Sequence, residues 1–391
     1  MKKKLWLPIL AAIAVVIIVV AIAINTGNKT TTNKQEGPTD KTETNADVEK
    51  DKESDEKEPE DTGIVNPEDV PEGMYQNPVF EPVFADPSIV KGDDGYFYAY
   101  ATEDDWGDGA GLKVAPIIRS KNLVDWEYIG KAFETKPNWK DGWVWAPDVQ
   151  KFNGKYYMYY TKSTWGDQNP GIGVAVADDP AGPFEDHGKL TDTAEMGVYA
   201  IDPMLYVEDG TPYLFFGGIT SGTFAVELAP DGLSVAGERI DVAGPNYEAP
   251  YVIKRDDYYY LFGSNGSCCA GKNSSYNVGV GRSESLFGPY VNKNGDDMIH
   301  HRGELLLFGY IPPEEGKGHI VGPGHNAVIT DDAGNDWLVY HGIPADNPTL
   351  SSGATRRPLF IDKIEWVDGW PTIKDFNPSI TPQDAPIIEE Q

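Results

Sequence analysis

Cysteine, positive charge and helical periodicity are all scarce in this chain, and each shortage closes off a class of protein. Its only two cysteines are the neighbours Cys268 and Cys269, so no disulfide framework can link distant segments. No zinc site of CxxC-type spacing exists either. A bond between the two neighbours, formed in an oxidising compartment, and a pair of free buried thiols are both open readings. Lysine and arginine total 32 against 62 aspartates and glutamates, a net charge of -30. Nucleic acids and other anionic partners need basic side chains for their phosphates, so the composition argues against them and fits a neutral polymer. From residue 75 to 370 the apolar residues rarely recur at helical spacing, which argues for an all-β domain.

Long apolar runs are also missing, with one exception. Residues 5–24 are apolar and follow Lys2, Lys3 and Lys4, and about 20 residues is near the length that crosses a bilayer. The lysines would stay cytoplasmic and leave the remainder outside. Residues 1–24 therefore read as an uncleaved membrane anchor, with a secretory signal cleaved near Ala21-Ile22-Ala23 as the competing reading. Residues 25–72 are mainly Thr, Asn, Lys, Glu, Asp and Pro and contain no aromatic. Such a segment buries too little apolar surface to offset its ordering entropy and reads as an acidic disordered linker. The folded domain is expected over residues 73–391.

Within this domain a single phrase recurs five times: a polar residue beside a Pro-type position, an apolar pair, a turn, and a run of aromatics. The copies begin at Ala85-Asp86-Pro87, Trp145-Ala146-Pro147, Ile201-Asp202-Pro203, Glu248-Ala249-Pro250 and Gly324-His325-Asn326. Turn pairs such as Asp94-Gly95, Asn153-Gly154, Asp209-Gly210 and Ala333-Gly334 separate the strands within each copy. Repeats that each hold several short strands predict a five-bladed β-propeller. Blades pack radially, so equivalent positions of all five copies meet near one axis.

Alignment on the Pro-type position brings Asp86, Ala146, Asp202, Ala249 and His325 into one column, with Glu248 one place earlier. A shift of one residue reverses a strand side chain, so Glu248 reaches the axis only if its strand begins irregularly at Pro245-Asn246-Tyr247. Buried carboxylates are costly unless paired or used. Two carboxyls across a pit, one ionised and one protonated, hydrolyse glycosidic bonds, and a third nearby would raise the acid's pKa. The other reading is that each carboxylate caps a turn, as Asp148 and Asp178 are expected to do. Trp106, Trp143, Trp145, Trp165 and Tyr199 are candidate sugar platforms, Trp145 foremost because it heads a blade. The remaining aromatics read as core.

At these motifs the chain resembles family 43 glycoside hydrolases, which include arabinanases, α-L-arabinofuranosidases and β-xylosidases. The resemblance runs from about Tyr75 to Pro371 and includes Asn77-Pro78-Val79 and Gly322-Pro323-Gly324-His325-Asn326. It implies Asp86 as general base, Glu248 as general acid, Asp202 as the residue that tunes the acid and orients substrate, and inversion at the anomeric carbon. It also implies that His325 helps hold a calcium ion through water, against the reading of a histidine merely hydrogen-bonded in the channel. Arg357 matches an arginine sent to the active site, with Arg356 next to it and a surface arginine as the alternative. Cys268-Cys269-Ala270-Gly271 looks like the arabinanase branch, whereas Ala85-Asp86-Pro87 looks like the xylosidase and arabinofuranosidase branches. The implied partner is a neutral plant polysaccharide such as arabinan or arabinoxylan, cut outside the cell by a tethered or secreted enzyme. An exo-acting arabinofuranosidase or xylosidase, a non-catalytic polysaccharide-binding propeller and a retaining fructan-active propeller are the alternatives.

Overall fold

The computed structural model describes residues 70–309 and 319–389. The expected anchor and nearly all of the expected linker lie outside them. Among the described residues no helix is long and apolar enough to cross a membrane.

Five antiparallel sheets follow one another along the chain, as the five copies require. Blade one comprises Ser88–Lys91, Phe97–Tyr100, Pro116–Ser120 and Trp126–Lys131, and blade two Trp143–Phe152, Lys155–Ser163, Gly171–Ala177 and Glu185–Asp192. Blade three comprises Met204–Glu208, Thr211–Gly218, Gly222–Glu227 and Ile240–Ala243, and blade four Glu248–Arg255, Tyr258–Asn265, Asn277–Ser283 and Glu304–Leu307. Blade five has three strands, Ile320–Thr330, Asp336–Pro344 and Leu359–Lys363. Its open edge is met by the segment before blade one, since Val79 donates to the Leu359 carbonyl and Leu359 to that of Phe80, both at 2.9 Å. Asn77 adds two bonds to Ile361, at 2.7 and 3.0 Å. The start of the propeller thus closes the ring on its end.

The inner hairpins turn where the glycine pairs predict. Asn153-Gly154 and Asp209-Gly210 both have positive φ at each residue, the twist that two-residue hairpins need. The aromatic runs fill the space between blades: Phe97, Tyr100, Tyr159, Tyr160, Phe215, Phe216, Phe262 and Tyr340 are fully buried. Cys268 and Cys269 are bonded to each other, so of the two readings the disulfide is the one realised.

Candidate active site

The site is built where the five inner strands begin. Asp86, Ala146, Asp202, Ala249 and His325, the whole aligned column, have φ of 55, 43, 53, 51 and 52°. All five are left-handed, a conformation that costs a non-glycine residue about 1–2 kcal/mol. Hydrogen bonds between blades offset this cost. The backbone N–H of Ala146 donates to Thr102 Oγ1 at 2.8 Å, that of Asp202 to Thr161 Oγ1 at 2.9 Å, that of His325 to Ser264 Oγ at 2.8 Å and that of Asp86 to His341 Nδ1 at 3.1 Å. Each acceptor lies within the last four residues of the second strand of the preceding blade or just beyond it. For the fifth, Ala249, the N–H is directed at the Asp202 carboxyl.

The left-handed step also solves the placement of Glu248. The ladder of blade four slips between Glu248 and Tyr251, and that of blade two slips in the same way between Trp145 and Asp148. One residue is thereby added at the strand head, as in a β-bulge. The residues before and at the turn then both face the axis, so Glu248 and Trp145 line the same pit as Asp86, Asp202, His325 and Arg357. The pit has a cavity volume of about 140 Å³. A larger groove of about 660 Å³ lies beside Asp362 and Glu365. Asp362 there is held by the Tyr340 hydroxyl at 2.6 Å, and neither histidine nor arginine lines the groove beside its carboxylates.

Asp86 and Glu248 have opposite surroundings. Burial pushes the Asp86 carboxyl up, but its neighbours outweigh that and hold it well below the usual carboxylate range. Arg357 Nη1 lies 3.5 Å from Asp86 Oδ1, and the Thr102 hydroxyl donates to Oδ2 at 2.6 Å. His325 and His341 each place Nδ1 3.4 Å from the same carboxylate. Burial depresses both, His341 to about 3, and His341 Nδ1 already accepts the Asp86 N–H. The guanidinium is the first of the neighbours that stabilise the anion, followed by the histidines and the hydroxyl.

Glu248 is raised to about 7, by burial first and then by the charge of Asp86, while the Tyr276 hydroxyl pulls it down. That hydroxyl donates to Glu248 Oε1 at 2.8 Å. Gly324 makes room for the Tyr276 ring, because a Cβ there would sit 2.3 Å from its Cδ1. Asp202 is raised well above its ordinary value, by burial and then by Glu248 and Asp86. The charge of Asp86 thus raises both Asp202 and Glu248, and burial is the largest cause for each.

All six residues singled out from the sequence meet in this pit. Arg357, not Arg356, turns inward, since Arg356 pairs with Glu81 on the outside. Asp148 accepts from Leu205 N at 2.8 Å, a bond between blades rather than a turn cap, and Asp178 pairs with Lys155 at the surface; neither lines the pit. Of the candidate platforms, Trp106 is core. Trp165 stands 77% exposed at the rim, 5.5 Å from the Trp145 ring. Thr102, Tyr276 and His341 were not among the sequence candidates. For Thr102 and His341 the available signal was their position at or after the aromatic runs, where Thr102, Thr161, Ser264 and His341 recur in register.

A carboxylate held ionised and a carboxyl that keeps its proton to neutral pH, in one pit, can act as base and acid on a glycosidic bond. Fold and site together define a glycoside hydrolase. The model for Glycosyl hydrolases family 43 matches residues 75–371, and the chain belongs to that family. It is 33% identical over 291 residues to an extracellular exo-α-(1→5)-L-arabinofuranosidase of Cellvibrio japonicus, covering 66% of this chain and 80% of that one. It is 30% identical to an extracellular endo-α-(1→5)-L-arabinanase of Bacillus subtilis, covering 73% of this chain and 86% of the relative. Among solved structures, the α-L-arabinanase of Cellvibrio cellulosa complexed with arabinohexaose superposes with a TM-score of 0.64 at 31% identity, covering 75% of this chain and 96% of that one.

Proposed function

We propose that this enzyme hydrolyses α-L-arabinofuranosyl linkages of arabinan in a single inverting displacement. Asp86 takes a proton from the attacking water, and Glu248 gives one to the leaving oxygen. Asp202 tunes Glu248 and orients the ring, Trp145 offers the ring a platform, and Arg357 binds it. The observation that carries this reading is the opposite displacement of two carboxyls in one pit, Asp86 downward and Glu248 to about 7. The names of the relatives support the choice of arabinan. The deficit of basic residues fits a neutral polymer.

The test is reducing-sugar release and product sizing from linear α-1,5-arabinan with the full-length chain, beside arabinofuranosyl and xylosyl aryl glycosides. Oligomers are expected from an endo-acting enzyme. Arabinose alone would reassign the enzyme as exo-acting, xyloside cleavage alone would reassign the sugar, and binding without turnover would make the propeller a capture module.

Calcium belongs to the same proposal. Behind the pit the axis continues into a cavity of about 20 Å³ that His325 and Asn326 help line, room for about one water by volume. Both side-chain amide atoms of Asn326 are buried without a partner. Among the described residues no three His, Cys, Asp or Glu converge on a metal, and calcium prefers six to eight oxygens. His325 and Asn326 Oδ1 supply two donors, and the rest of the shell would be water, which the cavity could hold only by widening around the ion. When bound, it would supply positive charge beside the carboxyls. Calorimetric titration of chelator-treated protein with calcium should show one site, and no heat of binding would remove the ion. An anchor at residues 1–24 would tether the enzyme outside the cell, and membrane fractionation tests that against secretion.

A further inference from the structure

The pit has one wall that the roles above leave unused. Cys268 and Cys269 both line it, half-buried, from the loop between the second and third strands of blade four. Neighbouring bonds fix this loop without help from the disulfide. Ser274 Oγ accepts the Ala270 N–H at 2.9 Å and donates to the Cys268 carbonyl at 3.3 Å, and Ser275 Oγ accepts the Ser267 N–H at 3.1 Å. Blade five presses against the same loop: a Cβ on Gly322 would lie 2.5 Å from Ser274 Cβ. A bond between adjacent residues closes no long loop, so it removes little entropy from the unfolded chain. Stability therefore does not account for it.

Its position does. Arg357 Nη1 lies 4.0 Å from Cys269 Sγ, on the guanidinium that also faces Asp86 at 3.5 Å and Asp104 at 3.7 Å. Two bonded sulfurs form a polarisable, apolar face without a hydrogen-bond donor. Two thiols or hydroxyls there would add donors that compete for the carboxylates and for sugar oxygens. In a five-membered ring, blade two is adjacent to neither blade four nor blade five. The disulfide and Trp145 therefore line the pit from blades that are not neighbours.

We propose that the Cys268–Cys269 disulfide is a specificity-determining wall of the substrate pit. It packs on one face of the bound sugar ring and leaves the ring's hydroxyls to Arg357 and the carboxyls. The inference rests on the glycosidase reading above. It is tested on the full-length enzyme before and after treatment with dithiothreitol, whose two thiols close to a cyclic disulfide as the protein S–S bond becomes two S–H groups. The chain has no other cysteine, so a thiol count reports this bond alone.

Reduction should raise KM for arabino-oligosaccharides about tenfold, the equivalent of about 1.4 kcal/mol. kcat should change by less than about threefold and Tm by less than about 2 °C, and reoxidation should restore KM. The double variant Cys268→Ser/Cys269→Ser should behave like the reduced enzyme, and it replaces reduction if no thiols appear. An unchanged KM in thiol-counted or doubly substituted enzyme overturns the proposal, as does a fall of Tm that explains the loss. An oxidised enzyme that turns over no arabinan refutes the glycosidase reading instead.

Discussion

Asp86 and Glu248 belong to neighbouring positions of two copies of one repeat, face the same cavity, and are driven in opposite directions by what each copy places around them. Asp86 has a guanidinium at 3.5 Å and a donating hydroxyl at 2.6 Å. Glu248 has one tyrosine hydroxyl at 2.8 Å and, among the described residues, no ion-pair partner. Burial acts upward on both, so the difference comes from the neighbours. A repeat supplies geometry, and departures from the repeat supply chemistry.

The largest effects should follow from removing either carboxyl. Glu248→Gln and Asp86→Asn should each lower kcat on arabinan about 10²–10⁴-fold, checked by steady-state rates. Asp202→Asn, next in size, removes the carboxyl proposed to tune Glu248. Glu248 would then lose its proton at lower pH, and the alkaline limb of the pH profile should fall from its position near 7. An unmoved limb would mean that Asp202 stays protonated and only orients substrate.

Arg357→Met sharpens the other half of the comparison. Without the guanidinium, Asp86 should titrate at higher pH, so the acidic limb of kcat/KM should move up and activity fall about tenfold or more. A stationary limb would place the stabilisation of Asp86 elsewhere. The smallest effect belongs to Tyr276→Phe. The hydroxyl lowers the pKa of Glu248, so its loss should move the alkaline limb up, by about a unit or less, with rates within about tenfold.

Much of this was legible in the chain. The five copies predicted the blades, their Pro-type positions predicted the axial column, and Asp86, Asp202 and His325 fell into it directly. Glu248 was harder, because strict alternation points it away from the axis. The left-handed φ of 51° at Ala249 and the slip in the ladder bring it back, and neither is written in an alanine. Tyr276 and His341 were missed for another reason. Aromatics after strands are usually core, and only the approach of blades four and five shows that Tyr276 bonds Glu248 and stacks on His341 at 6.0 Å. The cause of the raised Glu248 was also only partly legible. Proximity of Asp86, the charge that raises it, was visible in the alignment, whereas burial, the larger cause, depends on packing.

The division of labour between the two carboxyls is the central claim, and comparing leaving groups tests it most directly. The rates of Glu248→Gln and Asp86→Asn should be measured on arabinan and on 2,4-dinitrophenyl α-L-arabinofuranoside, whose leaving group needs no proton. Glu248→Gln should lose about 10³-fold on arabinan and less than about tenfold on the aryl glycoside, whereas Asp86→Asn should lose about 10³-fold on both. Equal losses on both substrates for Glu248→Gln, or near-normal aryl glycoside hydrolysis by Asp86→Asn, would contradict the account.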